Sequence, residues 1–184
     1  MSTKFYEEEC LPRVRRIAAN LEFLCNNSVD KDELESQIEE METEWREELD
    51  DYISENDIDD IDPYKLTAEE LIDKMSDYNI ELDKDDVEEY EELKEQLQEI
   101  EDAGASNLYE YFEDCLDIEY TIDSRGNYLG ACVWVCVGGP GIWIDTRDRA
   151  VKLAWGGDRA EAYITSDVVD AIDDIFEEYY NCIK

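Results

Sequence analysis

The sequence predicts an α+β fold: an acidic N-terminal helical part, then a small antiparallel β-meander packed with a C-terminal helix. Three observations lead there. Up to Cys115, apolar residues recur every three or four positions, the period of a helix with one covered face. From Asp117 the period falls to two, and short turn sequences separate brief apolar runs, as hairpin-joined strands require. After Ser166 the helical period returns. The chain therefore divides into an acidic helical region, 1–115, and a sheet with its C-terminal helix, 116–184.

Charge follows the same division. The 184 residues hold 53 Asp and Glu against 16 Lys and Arg, a net of −37. Asp30 to Asp102 carries 33 acidic and 6 basic residues, a net of −27, whereas Leu116 to Lys184 carries 13 and 6, a net of −7. Apolar residues still make up 43%, with 4 Trp, 12 Tyr and 4 Phe, so a folded core is expected despite self-repulsion.

A first helix, capped by Ser2 or Thr3, runs to about Asn26 with Leu11, Val14, Ala18, Leu21 and Cys25 on one face; Pro12 marks a late start or a kink. Ser28 or Asp30 caps a second helix reaching about Ser54, with Leu34, Ile38, Met41, Trp45, Leu49 and Tyr52 in a near-heptad stripe. An acidic loop, Glu55 to Asp62, ends at Pro63. Thr67 and Glu70 form a capping box for a short helix to about Tyr78. Asp83 or Asp85 opens the next helix, with Val87, Tyr90, Leu93, Leu97 and Ile100 inward, and Gly104 closes it. Asn107 to Cys115 is one more short helix.

In the second half, Ile118, Tyr120 and Ile122 alternate with polar residues, a half-buried strand. Tyr128 to Val137 is apolar on both faces and reads as a central strand. Gly138-Gly139-Pro140-Gly141 breaks it before strands at Ile142 to Asp145, Ala150 to Trp155 and Glu161 to Thr165. Ser166 caps the final helix, which turns Val169, Ile172, Phe176, Tyr179 and Ile183 inward. Trp134, Trp143 and Trp155 fall on neighbouring strands as core or sheet-face aromatics, and an exposed pair would be a hot spot for a protein partner. Arg147, Arg149 and Arg159 are expected to pair with acids of the helical part.

Several chemistries are excluded or unsupported. The chain has no histidine, which removes Ser-His-Asp and Cys-His catalysis and histidine-bound zinc. Six cysteines lie scattered with no C-x-x-C pair and are expected as reduced thiols; Cys132 and Cys136, four apart on a strand, should share a core face. Counting an EF-hand from Asp57 places Ile61, Asp62 and Ala68 where a ligand, a Gly and a Glu are needed, so no calcium loop or other metal site is expected, and no cofactor. The Gly-Gly-Pro-Gly run lacks the Lys-Ser/Thr and helix start of a P-loop. No signal peptide or transmembrane run is recognised, so a cytoplasmic protein with no membrane partner is expected.

The acidic helices carry the functional reading. A helix of 25 residues is about 37 Å long. B-DNA of that length carries about 22 phosphates. The net of −27 between Asp30 and Asp102 is of that order, so these helices are expected to occupy a surface that otherwise holds nucleic acid. The partner-binding set is Glu39, Glu40, Glu42, Glu44, Glu47, Glu48, Asp50, Asp51, Asp57, Asp59, Asp60, Glu88, Glu89, Glu91, Glu92, Glu95 and Glu99. None is assigned a catalytic role, and a protein of this charge does not bind nucleic acid directly. The stripes of the second and fourth helices could pack on each other or across a homodimer.

The stretch Gly138 to Thr146, then Val151 to Trp155, Ala160 to Tyr163 and Ser166 to Tyr180, resembles small acidic proteins carried on mobile elements of gut Firmicutes, a group that includes type II-A anti-CRISPR inhibitors of Cas9. The resemblance covers about the last 50 residues and carries over no functional residue. It implies evasion of host defence by binding the effector protein. Together with the charge, it gives the expectation of a non-enzymatic inhibitor of Cas9 or another basic nucleic-acid-binding effector, acting in the bacterial host cell. The alternatives are an acidic adaptor or chaperone-like protein for a basic host protein, and an enzyme using carboxylates and a divalent metal.

Overall fold

The structure is a computed structural model that describes residues 6–27, 30–58 and 61–184. It has the α+β architecture of the sequence reading. The expected caps Ser2, Thr3 and Ser28 lie outside the described residues. The described residues between 1 and 28 and between 99 and 184 form one compact unit, and those between 29 and 98 form a second. Among the described residues, no helix is long and apolar enough to cross a membrane.

The larger unit is built on a five-stranded antiparallel sheet in the order β1-β2-β3-β4-β5. The strands are β1 (Asp117–Ile122), β2 (Tyr128–Cys136), β3 (Gly141–Asp145), β4 (Ala150–Trp155) and β5 (Asp158–Tyr163). Each turn is too short to carry a crossover, which is why strands adjacent in sequence are adjacent in space. Asp123 sets the first turn by accepting the Arg125 and Asn127 backbone N–H groups at 2.7 and 2.9 Å. These bonds, that from Asn127 first, hold its carboxyl below the usual range.

One face of the sheet is covered. Ala131, Val133, Ile142, Ile144, Val151, Leu153 and Ala160 are buried there against α1 (Leu11–Asn26) and α6 (Ser166–Ile183). A π-helical turn, Tyr6–Cys10, leads into α1, and Pro12 sits in its first turn, where a missing N–H leaves nothing unsatisfied. Because the helical run has already begun at Tyr6, Pro12 does not mark a late start. Val14, Ala18, Leu21 and Leu24 are buried on β4 and β5, each Leu or Val contributing about 1.5–3 kcal/mol. α6 lies over β2, where Tyr128 donates to Asp173 at 2.6 Å. A short helix, α5 (Leu108–Glu113), sends Phe112 edge-on to Phe176 of α6, centroids 5.1 Å apart.

Five expectations are corrected. The unit boundary is not at residue 115: α1 belongs with the sheet because its apolar stripe is what covers β4 and β5. β5 begins at Asp158 and not Glu161, since Gly156-Gly157 is the turn and pairing resumes at once. Thr165 is the N-cap of α6, and Ser166, its first residue, accepts from the Arg149 guanidinium at 3.1 Å. Cys132 and Cys136 do not share a face: a register shift between Trp134 and Cys136 places Cys136 opposite Ile142 and against the core, while Cys132 pairs with Asp145. Among the described residues, Arg147, Arg149 and Arg159 form no ion pair, so the expected pairing with helical acids is absent.

Candidate acidic interface

The second unit is helical. It holds α2 (Lys31–Glu55), a 3-10 turn (Pro63–Lys65), α3 (Ala68–Asp77) and most of α4 (Lys84–Ala103). It carries 30 acidic and 6 basic residues, a net of −24, against 23 and 10, a net of −13, in the sheet unit. Charge density, and not only charge, separates the two.

Local chemistry fixes each helix start. The Asp30 carboxylate caps α2 by accepting the Asp32 N–H at 2.8 Å. Asp32 and Glu33 in the first turn meet the positive end of the helix dipole. The Thr67–Glu70 capping box is complete, and these bonds to Thr67 hold Glu70 below the usual carboxylate range. Asp83 accepts the Asp85 N–H at 3.0 Å at the start of α4, and Gly104 ends it at φ 75°, a left-handed conformation that favours glycine.

Burial selects one face of each helix. Leu34, Ile38, Trp45, Leu49 and Ile53 are buried on α2, with Met41 and Tyr52 half-buried, so Ile53 takes the place expected for Tyr52. Leu71 and Met75 are buried on α3, and Tyr90 and Leu93 on α4. Trp45 meets Tyr90 with centroids 5.0 Å apart, and Tyr52 meets Tyr78 at 5.3 Å. Among this many acids, aromatics supply area without a charge to desolvate.

One predicted carboxylate is committed inside this packing. Glu42 is half-buried, accepts from Arg46 at 2.8 Å with one oxygen, and accepts from the Tyr90 hydroxyl at 2.8 Å with the other. Burial pushes its pKa up, but the bonds from Arg46 and Tyr90 and the charges of Arg46 and Lys94 outweigh it, leaving Glu42 below the usual range. Burial, then the bond to Glu42 and its charge, push the Tyr90 hydroxyl well above its ordinary value against the opposing charge of Arg46. Glu42 is therefore a clamp between α2 and α4 and not part of the outer surface. Asp50 is half-buried too.

The remaining predicted residues sort cleanly. Glu39, Glu40, Glu44, Glu47, Glu48 and Asp51 are exposed on α2, Asp57 after it, and Glu88, Glu89, Glu91, Glu92, Glu95 and Glu99 on α4. Glu99 falls within the sheet unit, and Asp59 and Asp60 lie outside the described residues. Glu40 and Glu44 share a groove of about 370 Å³ with Glu89 and with Asp86, whose charge the predicted set omitted. Glu69, Asp73 and Asp77 of α3 and Asp85 of α4 are exposed acids of the same unit outside that set. Projecting each helix around its apolar stripe would have found them.

Among the described residues, no group of three or more His, Cys, Asp or Glu is arranged to hold a metal ion. The exposed carboxylates can form a field and accept cationic donors. No family model, curated protein or solved structure matches the chain.

Proposed function

We propose that this protein is a non-enzymatic inhibitor of a nucleic-acid-binding effector, with Cas9 the first to test, and that its helical unit occupies a basic surface made for DNA. One observation carries the reading: a net charge of −24 sits on a small compact unit whose 25-residue α2 keeps Glu39, Glu40, Glu44, Glu47, Glu48 and Asp51 exposed. Cas9-type effectors hold nucleic acid in basic channels and read a short flanking motif with arginines. Carboxylates on a rigid helix meet such a channel with fixed geometry, and the two fields speed encounter. The protein would act in the bacterial cytoplasm, on the effector and not on nucleic acid.

The test is cleavage of a matched DNA target by guide-loaded Cas9 at low and physiological salt, with wild-type protein and a variant in which Glu39, Glu40, Glu44, Glu47, Glu48, Glu88, Glu91 and Glu92 become Lys. Inhibition that weakens with salt and disappears in the variant is expected. Inhibition kept by the folded variant would overturn the charge mechanism. No inhibition at large molar excess would remove Cas9, and equal capture of histones and nucleases would favour a general acidic adaptor.

A further inference from the structure

The sheet has a second face, which the helices of its own unit do not use. The register aligns Asp117, Trp134, Trp143, Lys152 and Glu161 in one row across all five strands. Trp134 and Trp143 are directly opposed, with rings 4.9 Å apart and 31° from parallel. Both are half-exposed, and neither belongs to the buried core. Gly141 makes room for them: a Cβ there would meet the Trp134 ring at 3.3 Å. Two large apolar rings thus stand stacked on a face no helix of their unit covers.

The charges around them have a sign. Lys152, the cation beside Trp143, is held by Asp145 at 2.9 Å and by Asp148, and is spent on them. Glu119 lies on the β1 side of the same face, beside Asp117 in the row, and Glu161 on the β5 side. Counting Asp117, Glu119, Asp145, Asp148 and Glu161 against Arg147, Lys152 and Arg159, the face has a net of −2. A second copy would meet this face with like charge, and a nucleic-acid base with its phosphate repelled. A guanidinium satisfies both features at once: it is planar, weakly hydrated and stacks on indole, and it donates to carboxylates.

We propose that the open face of the sheet is a second docking surface, for an extended arginine-bearing segment of a partner protein, with an arginine stacked on Trp134 and Trp143 and its neighbours reaching Asp117, Glu119 or Glu161. This stands apart from the helical unit's role: it holds whether or not that unit imitates DNA.

The test uses the full chain labelled with ¹⁵N-tryptophan, in buffered salt high enough to screen the helical carboxylates. The probes are a glycine-spaced arginine peptide and its lysine and glutamine counterparts. Trp45, buried in the helical unit, serves as internal reference. The indole N–H signals of Trp134 and Trp143 should shift saturably with the arginine peptide, and bind the lysine peptide about 3- to 5-fold more weakly. The Trp134→Leu/Trp143→Leu variant should lose the sheet-side response. Should it fail to fold, Asp117→Asn/Glu119→Gln/Glu161→Gln keeps both rings and should weaken binding severalfold. Equal response to arginine and lysine, shifts confined to Trp45, or no shift at all would overturn the proposal. So would concentration-dependent broadening of both signals without peptide, which would make a second copy the occupant.

Discussion

Tyr90 on α4 donates its hydroxyl proton to Glu42 on α2 at 2.8 Å, joining two helices that otherwise present like charges to each other. The bond works because Arg46 neutralises the other carboxylate oxygen. Removing the hydroxyl with Tyr90→Phe keeps the contact with Trp45 and leaves one oxygen of a half-buried carboxylate without its donor. A loss of about 1–2 kcal/mol is expected, read from urea unfolding followed at helical wavelengths.

The same clamp has a pH signature. The folded pKa of Glu42 is depressed, so its contribution is fully present above the unfolded value and is lost as pH falls through the folded one. Proton uptake by the exposed acids acts oppositely, by relieving repulsion, and hides this in the wild type alone. Comparison with Glu42→Gln cancels the shared part. The stability advantage of wild type over the variant should be largest at neutral pH and shrink below about pH 4.5. An advantage that grows on acidification would contradict the assignment.

How much of this was legible depends on what each residue signals. The Thr67–Glu70 box, the Asp30 cap and the stripe through Leu34, Ile38, Trp45 and Leu49 are local patterns, and each appears where its spacing puts it. The strand order was legible for the same reason, because the turns are short. The partner of α1 was not: Val14, Ala18 and Leu21 announce a covered face but not what covers it. Nor was the sorting of acids, since the role of Glu42 depends on a tyrosine 48 positions away. The shift after Trp134 that separates Cys132 from Cys136 leaves no mark in an apolar run.

Gly130 shows where backbone freedom is required. It sits in β2 at φ 149°, and a Cβ there would lie 2.9 Å from Thr146 Oγ1 and 2.6 Å from the Arg147 side chain. Arg147 is exposed and can move, but Thr146 is buried and accepts the Ala131 N–H at 3.0 Å. Gly130→Ala should therefore cost about 1–3 kcal/mol through strain and that displaced bond, measured by thermal unfolding of the sheet unit. Asn127→Ala, in the adjoining turn, should leave Thr146 undisturbed and serves as a control.

The cysteines give a chemical readout of the open sheet face. Burial, then the charges of Asp145 and Glu119, push the Cys132 thiol up to about 11. Only the thiolate is alkylated, so at pH 8 its reactive fraction is on the order of 10⁻³. Cys182 is exposed near the end of α6. Timed alkylation with peptide mass spectrometry should label Cys182 well before Cys132, and the Cys132 rate should rise about tenfold from pH 8 to pH 9. Equal rates at pH 8 would show that Cys132 does not sit among these acids.

Salt should separate the two units. Self-repulsion at a net of −24 acts over a Debye length of about 30 Å at 0.01 M and about 8 Å at 0.15 M. Raising salt over that range therefore removes most of the repulsion between α2 and α4, while the aromatic contacts of Trp45 and Tyr90 stay unscreened. Hydrogen exchange in 31–55 and 84–98 should slow more with added salt than exchange in 141–163, where the strands of a unit with a net of −13 are held by ladder bonds and a buried face. Reversing the eight glutamates to Lys takes the helical unit from −24 to −8, each reversal adding two charges, and should flatten its response. If the helical unit stays indifferent to salt in both proteins, its carboxylates are already neutralised by bound counterions. The field that would steer it to a basic channel would then be much weaker than its formal charge.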